Sequence, residues 1–212
     1  MAALLSTHNP IIVVSTVSGN QEAIANYQEA AAQTFKAGSP VELNGSGNVI
    51  AWDGTTLLAK ILGVCLVGGF NYGSAGAGAS PLYGSIGFPG GTPTFGTVPN
   101  QPAAVNLLHG ALFATGLTIV ATNLLDTVFE AMVDNSTGAT YNMTLANVGS
   151  QFGLTIDANG FWYVDIGKAT PGTNTVLTIE SLNPQDLVVG SSTTQVNNGR
   201  VRFKFLASTQ QV

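Results

Sequence analysis

Charge is scarce in this sequence. Only 8% of its 212 residues are Asp, Glu, Lys or Arg, against about 25% in a typical soluble domain. Six Lys and Arg stand against eleven Asp and Glu, a net charge of −5, so the basic footprint of a nucleic-acid binder is missing. From Ile61 through Leu125 there is no charged residue. The part from Leu107 to Leu125 is long enough to span a bilayer, yet His109, Asn123, three threonines and two glycines dilute it and no basic flank anchors it. Neither nucleic acid nor membrane is therefore expected as a partner. A surface so poor in charge is weakly defended against self-association, which suits a chain packed against neighbours.

Cysteine and histidine are nearly absent too. The single cysteine, Cys65, excludes an intrachain disulfide and a cysteine metal cluster, and within Ile61 to Val67 it reads as a small buried hydrophobe. His8 lies near a terminus expected to be mobile and His109 inside the apolar run, so a histidine metal pair or triad would need a long-range coincidence. No phosphate loop or Gly-x-Ser-x-Gly elbow occurs, and Gly73, Gly76 and Gly78 lack the strand-to-helix setting of a dinucleotide site. Asp126, Glu130 and Asp134 would share a helix face, but the residues between them favour a strand and make these solvated strand-edge acids. Asp157 and Asn159 fit hairpin chemistry better than a calcium turn. The sequons at Asn44, Asn135 and Asn142 follow from a composition rich in Asn, Ser and Thr, and Met1 to Ser6 does not read as a secretory signal. No reaction, cofactor or metal is expected.

What is present is strand patterning, with 45% apolar residues, enough for a core. The strongest signal runs from Phe152 to Asp165: Leu154 and Ile156 alternate with Thr155, Asp157-Ala158-Asn159-Gly160 makes a reversal, and Phe161 to Val164 returns. Such a hairpin has aromatic surface on both faces and needs cover on each. A second hairpin is expected from Pro40 to Trp52 around Asn44-Gly45-Ser46-Gly47, then a strand over 57–67. Further strands are expected over 117–121, 127–133, 139–145, 175–180 and 200–206. In the last, Val201, Phe203 and Phe205 alternate with Arg200, Arg202 and Lys204, one face core and the other cationic. Residues 20–32 favour a helix capped by Asn20. Residues 68–103 read as a long ordered loop pinned by Tyr72, Tyr83, Phe88 and Phe95.

The fold class expected is mainly β: two small β-barrel or sandwich lobes joined by a long Gly/Pro-rich loop, with an N-terminal arm. The arm is 1–19, the N-terminal lobe 20–67 with loop 68–110, and the C-terminal lobe 111–212. With no adjoining turn partner for Ile11 to Val14, the arm is expected to order only in an assembly.

Two stretches resemble the head decoration (cement) proteins of tailed bacteriophages. One is Ala32-Gln33-Thr34-Phe35-Lys36-Ala37-Gly38-Ser39-Pro40-Val41-Glu42-Leu43 with the later Ile61-Leu62-Gly63-Val64. The other runs from Phe129-Glu130 through Asn147-Val148-Gly149-Ser150-Gln151-Phe152-Gly153-Leu154 to Trp162-Tyr163-Val164-Asp165, closing on Gly199-Arg200-Val201-Arg202-Phe203-Lys204-Phe205. The resemblance implies a structural virion protein on the outer surface of the capsid, assembled in the host cytoplasm and bridging major capsid protein subunits as a homotrimer. It also implies an extended course for residues 21–33, against the helix, and offers no counterpart for 68–103. On this reading the capsid or subunit contacts are Ile11, Ile12, Val13, Val14, Tyr72, Tyr83, Phe88, Trp162, Arg200, Arg202 and Lys204. The alternative is a tail or fibre-type receptor or glycan-binding protein, with Tyr72, Tyr83 and Trp162 as a sugar platform.

Overall fold

The structure is a computed structural model and describes residues 8–30, 33, 35–54, 60–66, 117–122, 124–137, 141–170 and 174–211. In chain order the strands are β1 (Ile12–Thr16), β2 (Ile24–Gln28), β3 (Pro40–Leu43), β4 (Val49–Ala51), β5 (Gly63–Cys65), β6 (Leu117–Ala121), β7 (Thr127–Asp134), β8 (Gln151–Ile156), β9 (Trp162–Asp165), β10 (Leu177–Leu182) and β11 (Arg200–Phe205).

Five of them close a barrel in the order β7-β11-β10-β8-β9, with β9 returning to β7. The closing pair is parallel, Val133 opposite Val164 and Asp134 opposite Asp165. The first half of β7 takes a different neighbour: Thr127 to Glu130 pair antiparallel with β1. One edge of β7 thus serves two strands in succession, and β1 is attached to a barrel that closes without it. The second sheet has the order β2-β6-β5-β3-β4, and an isolated parallel bridge from Glu29 to Val49 draws its two outer strands together.

Alternation on β11 sends Val201, Phe203 and Phe205 inward, where Phe129, Phe203 and Phe205 pack with centroids 5.4–5.9 Å apart. The same core continues into Val64 and Ala121 of the second sheet and into Trp52 and Ile61, which flank its strands β4 and β5. A smaller cluster of Phe35, Val41, Val49, Leu62, Cys65 and Val120 lies within that sheet, with the Cys65 thiol against the Thr118 hydroxyl at 2.9 Å. At the chain's end, the Gln211 side chain accepts from the Leu43 N–H at 2.7 Å, tying the segment after β11 to β3.

The Phe152–Asp165 hairpin forms as its turn chemistry requires. The Asp157 carboxylate accepts from the N–H groups of Asn159 and Phe161, both at 2.8 Å, and Gly160 takes φ +82°, which costs glycine nothing. Cover for its aromatics comes from three places. Trp52 packs on Trp162 with centroids 5.1 Å apart, His8 stacks on Tyr163 at 4.3 Å, and the Lys36 ammonium sits 4.2 Å above Phe161.

Several expectations give way. Residues 24–28 are strand, not helix, because five consecutive pairings with β6 outweigh local propensity. The expected strand over 139–145 is absent over 141–143. Thr144 makes a single bridge to Thr194, and a 3-10 turn follows at Leu145–Asn147, where the Asn147 side chain accepts from the Thr144 N–H at 2.8 Å. The strand expected over 57–67 is described only as β5. Strand membership also crosses the expected lobes: β1, from the arm, joins the barrel sheet, and β6, from the C-terminal lobe, joins the second sheet. The loop 68–103, with Tyr72, Tyr83, Phe88 and Phe95, and His109 lie outside the described residues.

Truncating Phe203, fully buried between two other phenylalanines, is expected to cost about 3–5 kcal/mol. Val17→Ser, at an exposed position, is expected to stay within about 0.5 kcal/mol. Urea unfolding of the two variants checks both.

Candidate functional site

The apolar run Ile11 to Val14 divides by face. Ile11 is buried and Val13 packs on the core, whereas Ile12 and Val14 are exposed at 47% and 36%. A bulge places Val14 between the paired residues Val13 and Ser15, which re-aims the strand. The backbone before β1 passes close over Gly38, whose φ is +82°; a Cβ there would strike Pro10 and Ile11. Among the described residues no strand pairs with the other edge of β1.

β1 is tied down at both ends. At its start, His8 is 3% exposed, its Nδ1 3.0 Å from Asp157 and its Nε2 3.1 Å from Asp134, with Tyr163 stacked beneath. Each ring nitrogen faces a carboxylate oxygen, and ionised carboxylates only accept, so both contacts are hydrogen bonds when the ring carries both protons. Burial works against the charge on Asp157. Hydrogen bonds from the Phe161 N–H, the His8 ring and the Asn159 N–H outweigh it and hold the pKa below the ordinary value. Tyr163 is pushed up to about 12 by burial and by Asp165 and Asp134. Beyond the strand, Ser18 donates its hydroxyl and N–H to Asp126 at 2.5 and 2.8 Å, which lowers the pKa of that carboxyl.

Alongside β1 lies an open groove of about 480 Å³ whose lining includes Ile12, Val14, Glu130, Gln185, Arg200 and Arg202. Ile12, Glu130 and Arg202 form one row across three strands. Glu130 is buried, and accepts from Arg200 at 3.1 Å and from the Asn183 amide at 2.8 Å. Arg200 grips Asp186 through Nε at 2.8 Å and Nη2 at 3.0 Å, which lowers the pKa of Asp186. Arg202 reaches Glu130 only at 3.5 Å, and Lys204 pairs with Glu180 at 3.2 Å.

The contact residues read from the sequence therefore separate. Ile12, Val14, Arg200 and Arg202 come together around the groove, whereas Ile11 faces the core and Trp162 is buried against Trp52. Tyr72, Tyr83 and Phe88 lie outside the described residues. His8, expected at a mobile terminus, is buried, because two carboxylates and a ring sit ready for it on the barrel. Glu130, expected to be solvated, is buried because two arginines flank it. A further apolar patch was missed. Leu145 and Val148 are exposed, as are Val188, Val189 and Val196; the bridge Thr144 to Thr194 joins the two segments, and Leu187 to Gln195 closes the second on itself. Its signal was the absence of charge from 187–199 together with the Val188-Val189 pair.

Among the described residues no cluster of His, Cys, Asp or Glu is arranged to hold a metal, and no helix is long and apolar enough to cross a membrane. No protein-family model matches the chain, and no curated protein matches it.

His8→Ala is expected to speed amide exchange over residues 9–16 at least tenfold while the β8–β9 hairpin keeps its protection, as exchange mass spectrometry would read. Asp157 and Asp186 have depressed pKa values in the folded state. Their contribution is complete above the unfolded carboxylate value of about 3.9 and is lost as pH falls through the lower folded values. Asp186→Asn is expected to cost about 1.5–3 kcal/mol at pH 7 and to flatten the acid limb of the stability curve, measured by urea unfolding between pH 2 and 7.

Proposed function

We propose that this chain is a capsid decoration, or cement, protein: a structural virion protein that binds the outside of a tailed-bacteriophage head and bridges neighbouring major capsid subunits, catalysing no reaction. The observation that carries this reading is β1, an edge strand with Ile12 and Val14 exposed, mounted on a barrel that closes without it. Such an edge offers unpaired backbone groups and apolar side chains to a neighbouring protein. The low charge of the chain and the sequence resemblance support the same reading. The apolar patch of Leu145, Val148, Val188, Val189 and Val196 is a second contact surface, suited to a second copy of the chain in a homotrimer.

Adhesion here rests on apolar area, worth about 25 cal/mol per Å² and little affected by salt. The cations of β11 all have carboxylate partners within the sheet, so ion pairs are secondary. The glycan alternative loses Trp162, whose ring is covered by Trp52, and no described feature favours it.

Stripped heads mixed with purified protein test the proposal. Saturable binding of many copies per head is expected, with heads rupturing at a higher temperature once decorated. Ile12→Asp should weaken binding far more than Lys204→Ala, and moderate salt should leave most protein bound. Stripped heads as robust as decorated ones would overturn it.

A further inference from the structure

The least satisfied charged group in the groove is Arg202. Glu130 accepts from Arg200 on one oxygen and from Asn183 on the other, leaving Arg202 a single ion pair at 3.5 Å. Its Nε is enclosed without a hydrogen-bond partner. Arg200, one register step away, has four such bonds from its side chain. A guanidinium presents five N–H donors in a planar fork matched to a carboxylate. Across Glu130 from it, along the same groove, lie exposed Ile12 and Val14 on a strand with an open edge.

We propose that this groove seats an extended segment of a partner protein, with an acidic side chain on Arg202 and apolar neighbours against Ile12 and Val14. The match is of charge: Arg202 lines the groove with its side chain 38% exposed and is held by one long ion pair to a Glu130 already engaged by Arg200 and Asn183, so its guanidinium has donors left for a second carboxylate. Extended chain suits the site because side chains two residues apart point the same way, so one acidic group can meet Arg202 while the apolar groups two positions either side lie against Ile12 and Val14. The charge-poor, net-negative surface disfavours a polyanion such as nucleic acid, whereas one carboxylate in a sheltered groove needs only one cation. This inference rests on the reading of β1 as a contact strand. It adds the chemistry of what is contacted, with apolar area supplying adhesion and Arg202 supplying selection.

The test uses the full chain and short peptides of alternating threonine and valine, blocked at both ends, with a central glutamate, glutamine or lysine. Binding is followed by NMR at the amides of Ile12 to Val14 and at the Arg202 Nε–H. The glutamate peptide should bind about tenfold more tightly than the glutamine peptide and shift the Nε–H signal. Arg202→Gln should erase that preference, and Arg202→Lys should restore part of it, since charge returns without the fork. Equal binding of glutamate and glutamine peptides, shifts that map away from the groove, or no binding of any peptide overturns the proposal. Head binding by the same variants separates the two readings. Peptide selectivity without attachment to heads removes the capsid assignment and leaves the groove. Attachment without selectivity does the reverse.

Discussion

Everything in the barrel depends on how one edge of β7 is divided. Its last two residues pair with β9 and close the ring, and its first four are left for another strand. Had the β9 pairing extended further, β1 would have had no place. Had it been absent, the sheet would lie open and the phenylalanine core of β7 and β11 would lose its enclosure. The parallel pair is short, so neighbouring packing must hold it, and it does: Val133 and Val164 are fully buried in the shared core. His8 is bonded to Asp134, the last residue of the closing pair.

Because charges are few, where they are placed matters. They gather at junctions: Asp126 after β1, Asp134 and Asp157 before it, and Glu130, Asp186 and Arg200 under the groove. Each fixes one segment against another, a task in which a partly buried, hydrogen-bonded charge is more specific than apolar contact. The outer face of β1 and the Leu145–Val189 patch are left to apolar and small polar side chains, which discriminate little among partners. Specificity at such a surface has to come from shape or from an isolated polar group such as Arg202.

Local chemistry was readable from the sequence and long-range pairing was not. The Asp157 to Gly160 turn and the alternation of β11 are set by neighbours within a few residues, and both appear in the structure as read. The fold class, mainly β, followed from repeating such signals. β2 was misread because helix propensity over residues 20–32 is local, whereas its pairing with β6 comes from far along the chain. The exchange of β1 and β6 between the sheets was hidden for the same reason. Of the groove, the cations of β11 and the apolar residues of β1 were visible one by one. Their meeting depends on the row Ile12, Glu130, Arg202, which exists only once three distant strands are in register.

The chain has two tryptophans, and they are in contact, their centroids 5.1 Å apart where the second sheet meets the barrel. Both are buried, and the indole N–H of Trp52 has no hydrogen-bond partner among the described residues. Intrinsic fluorescence therefore reports on a single seam. Buried indoles emit to the blue of solvated ones, so the emission is expected to move red when the sheets part, even with each sheet still hydrogen-bonded.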